Sequence, residues 1–373
     1  MTNKERFMKV LQFKSADRAP NFEIGTWEQT AQRWESEGLP AGLNTGNFFS
    51  GNDYFQLEGI ESINLDALIP FPPGKDHILE QDDRYVLFSD AFGRVRRALK
   101  EGTVGGTRMS MDQYIRFPVN NRQSFLEYQK GYLNDFIERY PKNWEGLKQK
   151  TQCSKDPLTL LDPMQGTFGF YSMLRNWMGT EGVSYLIYDD PRLVEECIEF
   201  LCEYILGLMQ KALSEIEFDL YYIHEDMCYN AGPLVSPKTF RAMFLPYYKK
   251  FIGFLKSYGV KIVLVDTDGN FDKLIPLFLE AGVDGFGPIE IAAGMDPVRL
   301  RKEYGKDLCM IGGVDKREIA RGKKEIQEEL KKRVAPLLDQ GGYIPSIDHS
   351  IPPSVSLENF CYYLEMKRKM LNG

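Results

Sequence analysis

The sequence predicts an α/β fold, a (β/α)8 barrel of the TIM type, because short apolar runs alternate with amphipathic helical segments along most of the chain. Several strand-like runs are continuously apolar, as expected for parallel strands that are covered on both faces. An open doubly wound sheet also fits the alternation, but the number of strand–helix units favours closure into a barrel. The length of 373 residues lies within the range of one such barrel.

The expected strands are short runs rich in aliphatic and aromatic residues. They lie at residues 21–24, 158–161, 218–223, 261–265, 283–286, 308–312 and 343–347. Helix starts are marked by a capping residue followed by proline, at Asp190-Pro191, Ser236-Pro237 and Asp296-Pro297. Gly282 marks the end of a helix that begins near Phe271, and a closing helix begins near Ser356.

Residues 80–150 interrupt this rhythm. Strand-like runs on either side of Asp90-Ala91-Phe92-Gly93 predict a β-hairpin, and charged and aromatic helical segments follow it. We interpret this stretch as an insertion over the mouth of the barrel, within a single domain that spans residues 1–373.

Composition and charge exclude several classes of protein. The chain is 43% hydrophobic and 27% charged with a net charge of −7, which indicates a globular protein and no nucleic-acid partner. No apolar run is long enough to cross a membrane, and the polar N-terminus lacks the apolar core of a signal peptide, so a cytoplasmic location is expected. The six cysteines form no C-x-x-C pair and are expected to be free thiols.

Acidic residues follow consecutive expected strands. Because the active site of such a barrel lies at the C-terminal ends of its strands, these carboxylates are expected to meet at one mouth. They are Glu225, Asp266, Asp268, Glu290, Asp315 and Asp348. The alternative is that each only caps a turn or a helix, as expected for Asp190 and Asp296.

Three histidines are candidates for acid–base chemistry. His349, after the last strand, is preferred over His224, and His77 lies just before the insertion. The predicted catalytic residues are Glu225, Asp268, Asp315 and His349. The predicted substrate contacts are Trp27, Phe168, Arg175, His224, Met227, Glu290 and Asp348. Met164 and Cys228 also follow strand ends, with core packing as an equal alternative for both.

Three segments carry a resemblance to a known family. They are residues 5–11 followed by D-R-A-P at 17–20, G-P-L-V-S-P at 232–237 followed by L-P-Y-Y at 245–248, and D-H-S-I-P-P at 348–353. Together they resemble the uroporphyrinogen decarboxylase superfamily, which also contains cobalamin-linked methyltransferases. The resemblance runs through nearly the whole chain and implies a barrel.

The departures from the family pattern bear on the reaction. True decarboxylases carry an M-R-Q-A-G-R loop after the first strand, whose arginines hold substrate carboxylates. Here residues 25–33 read G-T-W-E-Q-T-A-Q-R, so the arginine pair is absent. The methyltransferase branch carries H-x-C-G-N with a later cysteine as a zinc site, and here residues 266–270 read D-T-D-G-N.

The resemblance therefore implies a harder, oxygen-rich metal site, with zinc as the metal and with Asp266, Asp268, His349 and Glu225 as ligands. Our first hypothesis is a methyltransferase that moves a methyl group from a small, O-methylated substrate to a corrinoid protein. The chain lacks a D-x-H-x-x-G cobalamin motif, so the corrinoid is expected on a partner. The alternatives are a lyase that decarboxylates a tetrapyrrole or another carboxylated substrate, and a binding barrel without catalysis. A homodimer is one expectation for the oligomeric state, which the sequence leaves open.

Overall fold

The computed structural model describes residues 1–101, 111–163 and 168–373, together with the backbone of 103–104 and 107–108. Its strands are β1 (Glu61–Ile63), β2 (His77–Gln81), β3 (Tyr85–Ser89), β4 (Val95–Leu99), β5 (Thr103–Val104), β6 (Thr107–Arg108), β7 (Gln113–Arg116), β8 (Leu158–Leu160), β9 (Leu220–His224), β10 (Cys228–Tyr229), β11 (Gly232–Pro233), β12 (Ile262–Asp266), β13 (Gly285–Ile289), β14 (Cys309–Gly312) and β15 (Tyr343–Ile344). The central sheet is parallel and has seven strands in the order β1-β8-β9-β12-β13-β14-β15.

Helices connect these strands, and the predicted capping residues begin several of them. The side chains of Asp190, Ser236, Asp296 and Ser356 each accept a backbone N–H in the first turn of the helix that follows. The helices are α1 (Asn3–Leu11), α2 (Glu28–Ser36), α3 (Arg122–Tyr128), α4 (Trp144–Thr151), α5 (Phe170–Asp189), α6 (Pro191–Glu215), α7 (Pro237–Thr239), α8 (Leu245–Ser257), α9 (Ile275–Ala281), α10 (Pro297–Tyr304), α11 (Lys316–Arg321), α12 (Lys323–Glu329) and α13 (Leu357–Leu371). None of the helices in the described part of the chain is long and apolar enough to span a membrane.

Successive residues of the parallel strands face two different layers. Leu220, Ile262, Leu264 and Ile311 belong to an inner apolar cluster that also contains Phe7 of α1. Their neighbours along the same strands pack in a larger cluster with the surrounding helices. A strand buried on both faces reads as an apolar run, which explains why the sequence revealed these strands.

The start of the barrel differs from the prediction. Residues 21–24, expected as the first strand, form no regular strand, and β1, with the sequence Glu-Ser-Ile, was not predicted. The backbone of residues 21–26 instead forms hydrogen bonds with irregular segments on both of its sides. The Ile351 N–H donates to the Gly25 carbonyl at 2.9 Å, and the Glu58 N–H donates to the Asn21 carbonyl at 2.9 Å. The segment thus lies between the residues after β15 and those before β1, in the position that an eighth barrel strand takes.

The predicted hairpin is confirmed as β3 and β4, which pair in the antiparallel four-stranded sheet β2-β3-β4-β7. Residues that flank this sheet contact α5. Arg94, just before β4, donates to the Asn176 side chain, and the backbone N–H of Val119, after β7, donates to the Trp177 carbonyl. Because α5 begins at the mouth of the barrel, the insertion lies beside the mouth. His77 lies in exposed β2 of this sheet.

Candidate active site

The ends of β9 and β12 bring together the first imidazole–carboxylate pair. Asp266 is the register partner of His224, so the two side chains leave neighbouring strands at the same level. His224 Nδ1 lies 3.4 Å from Asp266 Oδ2. Burial lowers the pKa of His224, but hydrogen bonding to Asp266 and the charge of that carboxylate outweigh burial and raise this pKa to about 9. His224 is therefore an imidazolium at neutral pH.

A second pair of the same kind lies beside the first. His349 Nε2 is 3.3 Å from Asp268 Oδ2, and their side chains are 32% and 44% exposed. Against the effect of burial, the hydrogen bond to Asp268 raises the pKa of His349, and His349 in turn lowers the pKa of Asp268. The predicted residues Asp266, Asp268, His224 and His349 thus meet at the mouth as two separate pairs.

Basic side chains also accompany the other carboxylates of the mouth. Arg175, from α5, bonds Asp226 Oδ2 at 2.6 Å and the Asp226 carbonyl at 3.2 Å. Lys316 Nζ lies 3.3 Å from Glu290 Oε1 and 3.6 Å from Asp348 Oδ1. The repulsion expected among these carboxylates is therefore offset by cations of the chain itself.

Glu290 and Asp348 are held by backbone as well. Glu290 accepts the Gly269 N–H at 3.1 Å, which fixes the loop that carries Asp268. Asp348 is buried and accepts the N–H groups of Ile291 and Lys316 at 3.0 and 3.1 Å. Burial raises the pKa of Asp348, and the charge of Lys316 opposes that rise. The structure brings both residues to the mouth, where Asp348 organises the backbone.

Two predicted catalytic residues perform structural tasks in this structure. Glu225 is fully buried and accepts the N–H groups of Tyr171 and Ser172, both at 2.9 Å, at the start of α5. Burial raises its pKa to about 7 against the effect of these bonds. Asp315 is buried at the N-cap of α11 and pairs with Arg317. The helix-cap alternative therefore describes both residues.

The predicted substrate contacts with aromatic or sulfur-containing side chains fall into two groups, buried in the core and exposed. Phe168 is fully buried and packs edge-on against Phe170, with ring centroids 5.3 Å apart, and Met227 is fully buried in the larger cluster. Both are core residues here, because their apolar side chains pack against other apolar side chains and carry no unsatisfied polar group. Trp27 is 39% exposed, and its backbone N–H donates to the carbonyl of Ile351, two residues after His349. Met164 lies outside the described residues.

The four predicted metal ligands do not converge. Both Glu225 oxygens are engaged by α5, while Asp266 and Asp268 each face a different imidazole. Within the described ranges, no three His, Cys, Asp or Glu side chains form a group that fits a metal ion. The predicted zinc site does not fit this arrangement, and the correspondence of D-T-D-G-N to a ligand motif stays a prediction.

The sequence analysis missed Asp226 and Lys316 as site residues. Asp226 follows Glu225 directly, and the sequence does not show which of two adjacent carboxylates faces the mouth, because neighbouring side chains point in different directions. Lys316 follows Asp315, and its place as the first basic residue after β14 was the available signal.

Comparisons with known proteins agree with this architecture. A family model described as uroporphyrinogen decarboxylase (URO-D) matches residues 151–370. A methyltransferase from Methanosarcina mazei is 13% identical, with a TM-score of 0.64 and 100% of both chains covered, which shows a shared fold. A B12-independent methionine synthase from Shewanella sp. W3-18-1, in complex with selenomethionine, is 13% identical over 61% of this chain and 67% of its own, with a TM-score of 0.40. No curated protein matches. Because the family match extends over more than half of the chain, the protein belongs to the uroporphyrinogen decarboxylase (URO-D) family.

Proposed function

We propose that the protein is a methyltransferase that takes the methyl group of a small O-methyl compound and passes it to the corrinoid of a partner protein. The observation that carries the proposal is the partly exposed His349–Asp268 pair, with the His224–Asp266 pair beside it. An imidazolium held by a carboxylate is a proton donor, and cleavage of a methyl ether needs one.

The proposed reaction cleaves the methyl ether and transfers its methyl group. The bond between the methyl carbon and the ether oxygen breaks, and the methyl group goes to the reduced corrinoid of the partner. The electron pair stays on the oxygen, which takes a proton from His349. Asp268 holds the imidazole and stabilises its charged form until the proton leaves, and solvent then restores the proton.

The geometry favours proton transfer over metal coordination as the task of these four residues. Each carboxylate already faces its own imidazole, at 3.4 Å for Asp266 and 3.3 Å for Asp268. A ligand set would require both carboxylates and one imidazole to turn toward a common point. We therefore assign no step to zinc.

A decarboxylase for a polyanionic tetrapyrrole is the competing function within this family. The mouth holds five carboxylates, and four basic side chains accompany them, because Lys316 serves both Glu290 and Asp348. A substrate with many carboxylates would find no excess of positive charge. Such a mouth suits a small substrate of low net charge better.

A direct test is to incubate the protein with free, chemically reduced cobalamin and a panel of O-methyl compounds, including methanol, methoxyacetate and 3-methoxybenzoate. We expect methylcobalamin to form with at least one of them, followed by absorbance and confirmed by mass. Uroporphyrinogen is offered in parallel, with carbon dioxide release as the readout. Decarboxylation without any methyl transfer would contradict the proposal.

A further inference from the structure

The first turns of α5 carry a buried hydroxyl without a hydrogen-bond partner. Tyr171 is 1% exposed, and its hydroxyl has no partner among the described residues. Burial raises the pKa of Tyr171 to about 12, and the nearby charges of Arg175 and Asp226 also act on that pKa. The hydroxyl therefore stays protonated and lies within electrostatic range of the mouth. A buried hydroxyl is normally hydrogen-bonded, so this one keeps a donor that a ligand could use.

Arg175 lies one helical turn after Tyr171, on the same face of α5. Two of its five N–H donors bond Asp226, one to the side chain and one to the carbonyl, and the described residues supply no acceptor for the others. The side chain is 33% exposed. The guanidinium is thus anchored on one side and keeps donors for a ligand.

We propose that Tyr171 and Arg175 form a subsite for a carboxylate of the substrate. The inference deepens the proposed function, on which it rests for the identity of the methyl donor, and it makes that donor a methoxy acid. Both groups can donate to a ligand, since the Tyr171 hydroxyl is protonated and the Arg175 guanidinium carries only donors. A fork of guanidinium N–H groups with one added hydroxyl matches the two oxygens of a carboxylate.

Asp226 neutralises the charge of Arg175 while no ligand is bound. Its side-chain oxygen lies 2.6 Å from Arg175 Nη2 and 3.9 Å from His224 Nε2, and its backbone N–H donates to Ser172 Oγ at 2.9 Å. Asp226 is therefore a counter-ion for Arg175 in the free protein. When a substrate carboxylate binds Arg175, Asp226 keeps His224 as a second neighbouring cation, which it shares with Asp266.

The test compares binding of acids with that of their uncharged counterparts. Binding of 3-methoxybenzoate and 3-methoxybenzyl alcohol, and of methoxyacetate and 2-methoxyethanol, is followed by ligand-observed NMR. We expect each acid to bind at least about 10-fold more tightly than its alcohol, because hydrogen bonds to a charged group are the stronger ones. Arg175→Gln should remove this preference. Arg192→Gln, which removes the same charge at an 84% exposed position of α6, should keep it. Equal binding of acid and alcohol, or binding of neither, would overturn the subsite.

Tyr171→Phe separates a ligand contact from a structural one. If the hydroxyl serves a substrate, the variant should weaken acid binding several-fold while the melting temperature of the free protein stays equal or rises. A lower melting temperature would show that the hydroxyl has a structural partner, against the inference. Failure of the subsite is distinct from failure of methyl transfer. If acids bind but are not demethylated, the subsite is supported and the proposed function is not. If neutral ethers are demethylated as fast as acids, the proposed function is supported and the subsite is not.

Discussion

Breaking the buried ion pair that holds the last helix to the start of the barrel should destabilise the protein severely. Lys367 of α13 is fully buried and pairs with Glu23, which is also buried. Lys367 Nζ further donates to the Phe22 carbonyl at 3.0 Å. Glu23 accepts the Tyr363 hydroxyl at 2.7 Å and the Ile347 N–H at 2.9 Å. The network therefore joins the 21–26 segment to α13 and to the end of the barrel.

Lys367→Met keeps the volume of the side chain but removes its charge. Glu23 would then be a buried carboxylate with two hydrogen bonds and no counter-ion. Loss of one partner of a buried pair typically costs about 3–5 kcal/mol, and we expect a loss of that size. Adding Glu23→Gln removes the stranded charge and leaves an acceptor for Ile347, so the double variant should recover to within about 1–2 kcal/mol of the wild type.

The assay is urea unfolding of wild type, Lys367→Met and the double variant, followed by fluorescence. Lys369→Met, two residues further along α13, is the control, because its ion pair with Glu365 is exposed. The control should leave the unfolding midpoint unchanged. The reasoning is refuted if Lys367→Met unfolds at the wild-type midpoint, or if the double variant is no more stable than the single one.

Three further predictions concern the mouth. Glu225→Gln should lower the free energy of unfolding by about 1–3 kcal/mol, since one of the two N–H groups at the start of α5 loses its acceptor oxygen. A variant of wild-type stability in a urea titration would argue against the capping role. The pKa of His224 is raised to about 9 in the folded protein, above its ordinary value of 6.5. Its contribution to stability is therefore full below about pH 6.5 and is lost as the pH rises through about 9, and Asp266→Asn should remove much of this dependence. An NMR titration of His224 with a midpoint near 6.5 would contradict that pairing. Lys316→Met should raise the pKa of Asp348 further, because the opposing charge is lost, and a carboxyl NMR titration that shows no rise would count against their interaction.

The sequence predicted the parts of the fold that are coded by neighbouring residues. Strands such as β9 and β12 are buried on both faces and appear as apolar runs, and caps such as Asp190 and Asp296 act within one helical turn. β1 was missed because three residues with one apolar side chain give no run. The 21–24 segment was overpredicted because its backbone partners lie in irregular segments, which no local pattern reveals.

The site was predicted as a region but not as a set of pairs. The positions of the strand ends predicted Asp266, Asp268 and His349 at one mouth, and in the structure they lie there as members of two pairs. The orientation of the Glu225 side chain depends on its bonds to the start of α5, which lies 53 and 54 residues earlier in the sequence. The pairing of each carboxylate with a basic side chain likewise depends on tertiary contacts. The sequence therefore indicated the carboxylates of the mouth but not the four basic side chains that offset most of their charge.

The most direct measurement of the central claim is the rate of methyl transfer by His349→Gln, relative to wild type and to His77→Gln. The control makes the same substitution in exposed β2 of the inserted sheet. Using the methyl donor found in the panel and reduced cobalamin, we expect His349→Gln to lower kcat by about 10²- to 10⁴-fold, the usual contribution of a general acid. His77→Gln should keep the wild-type rate. If His349→Gln transfers methyl groups as fast as wild type, proton donation by the His349–Asp268 pair is contradicted.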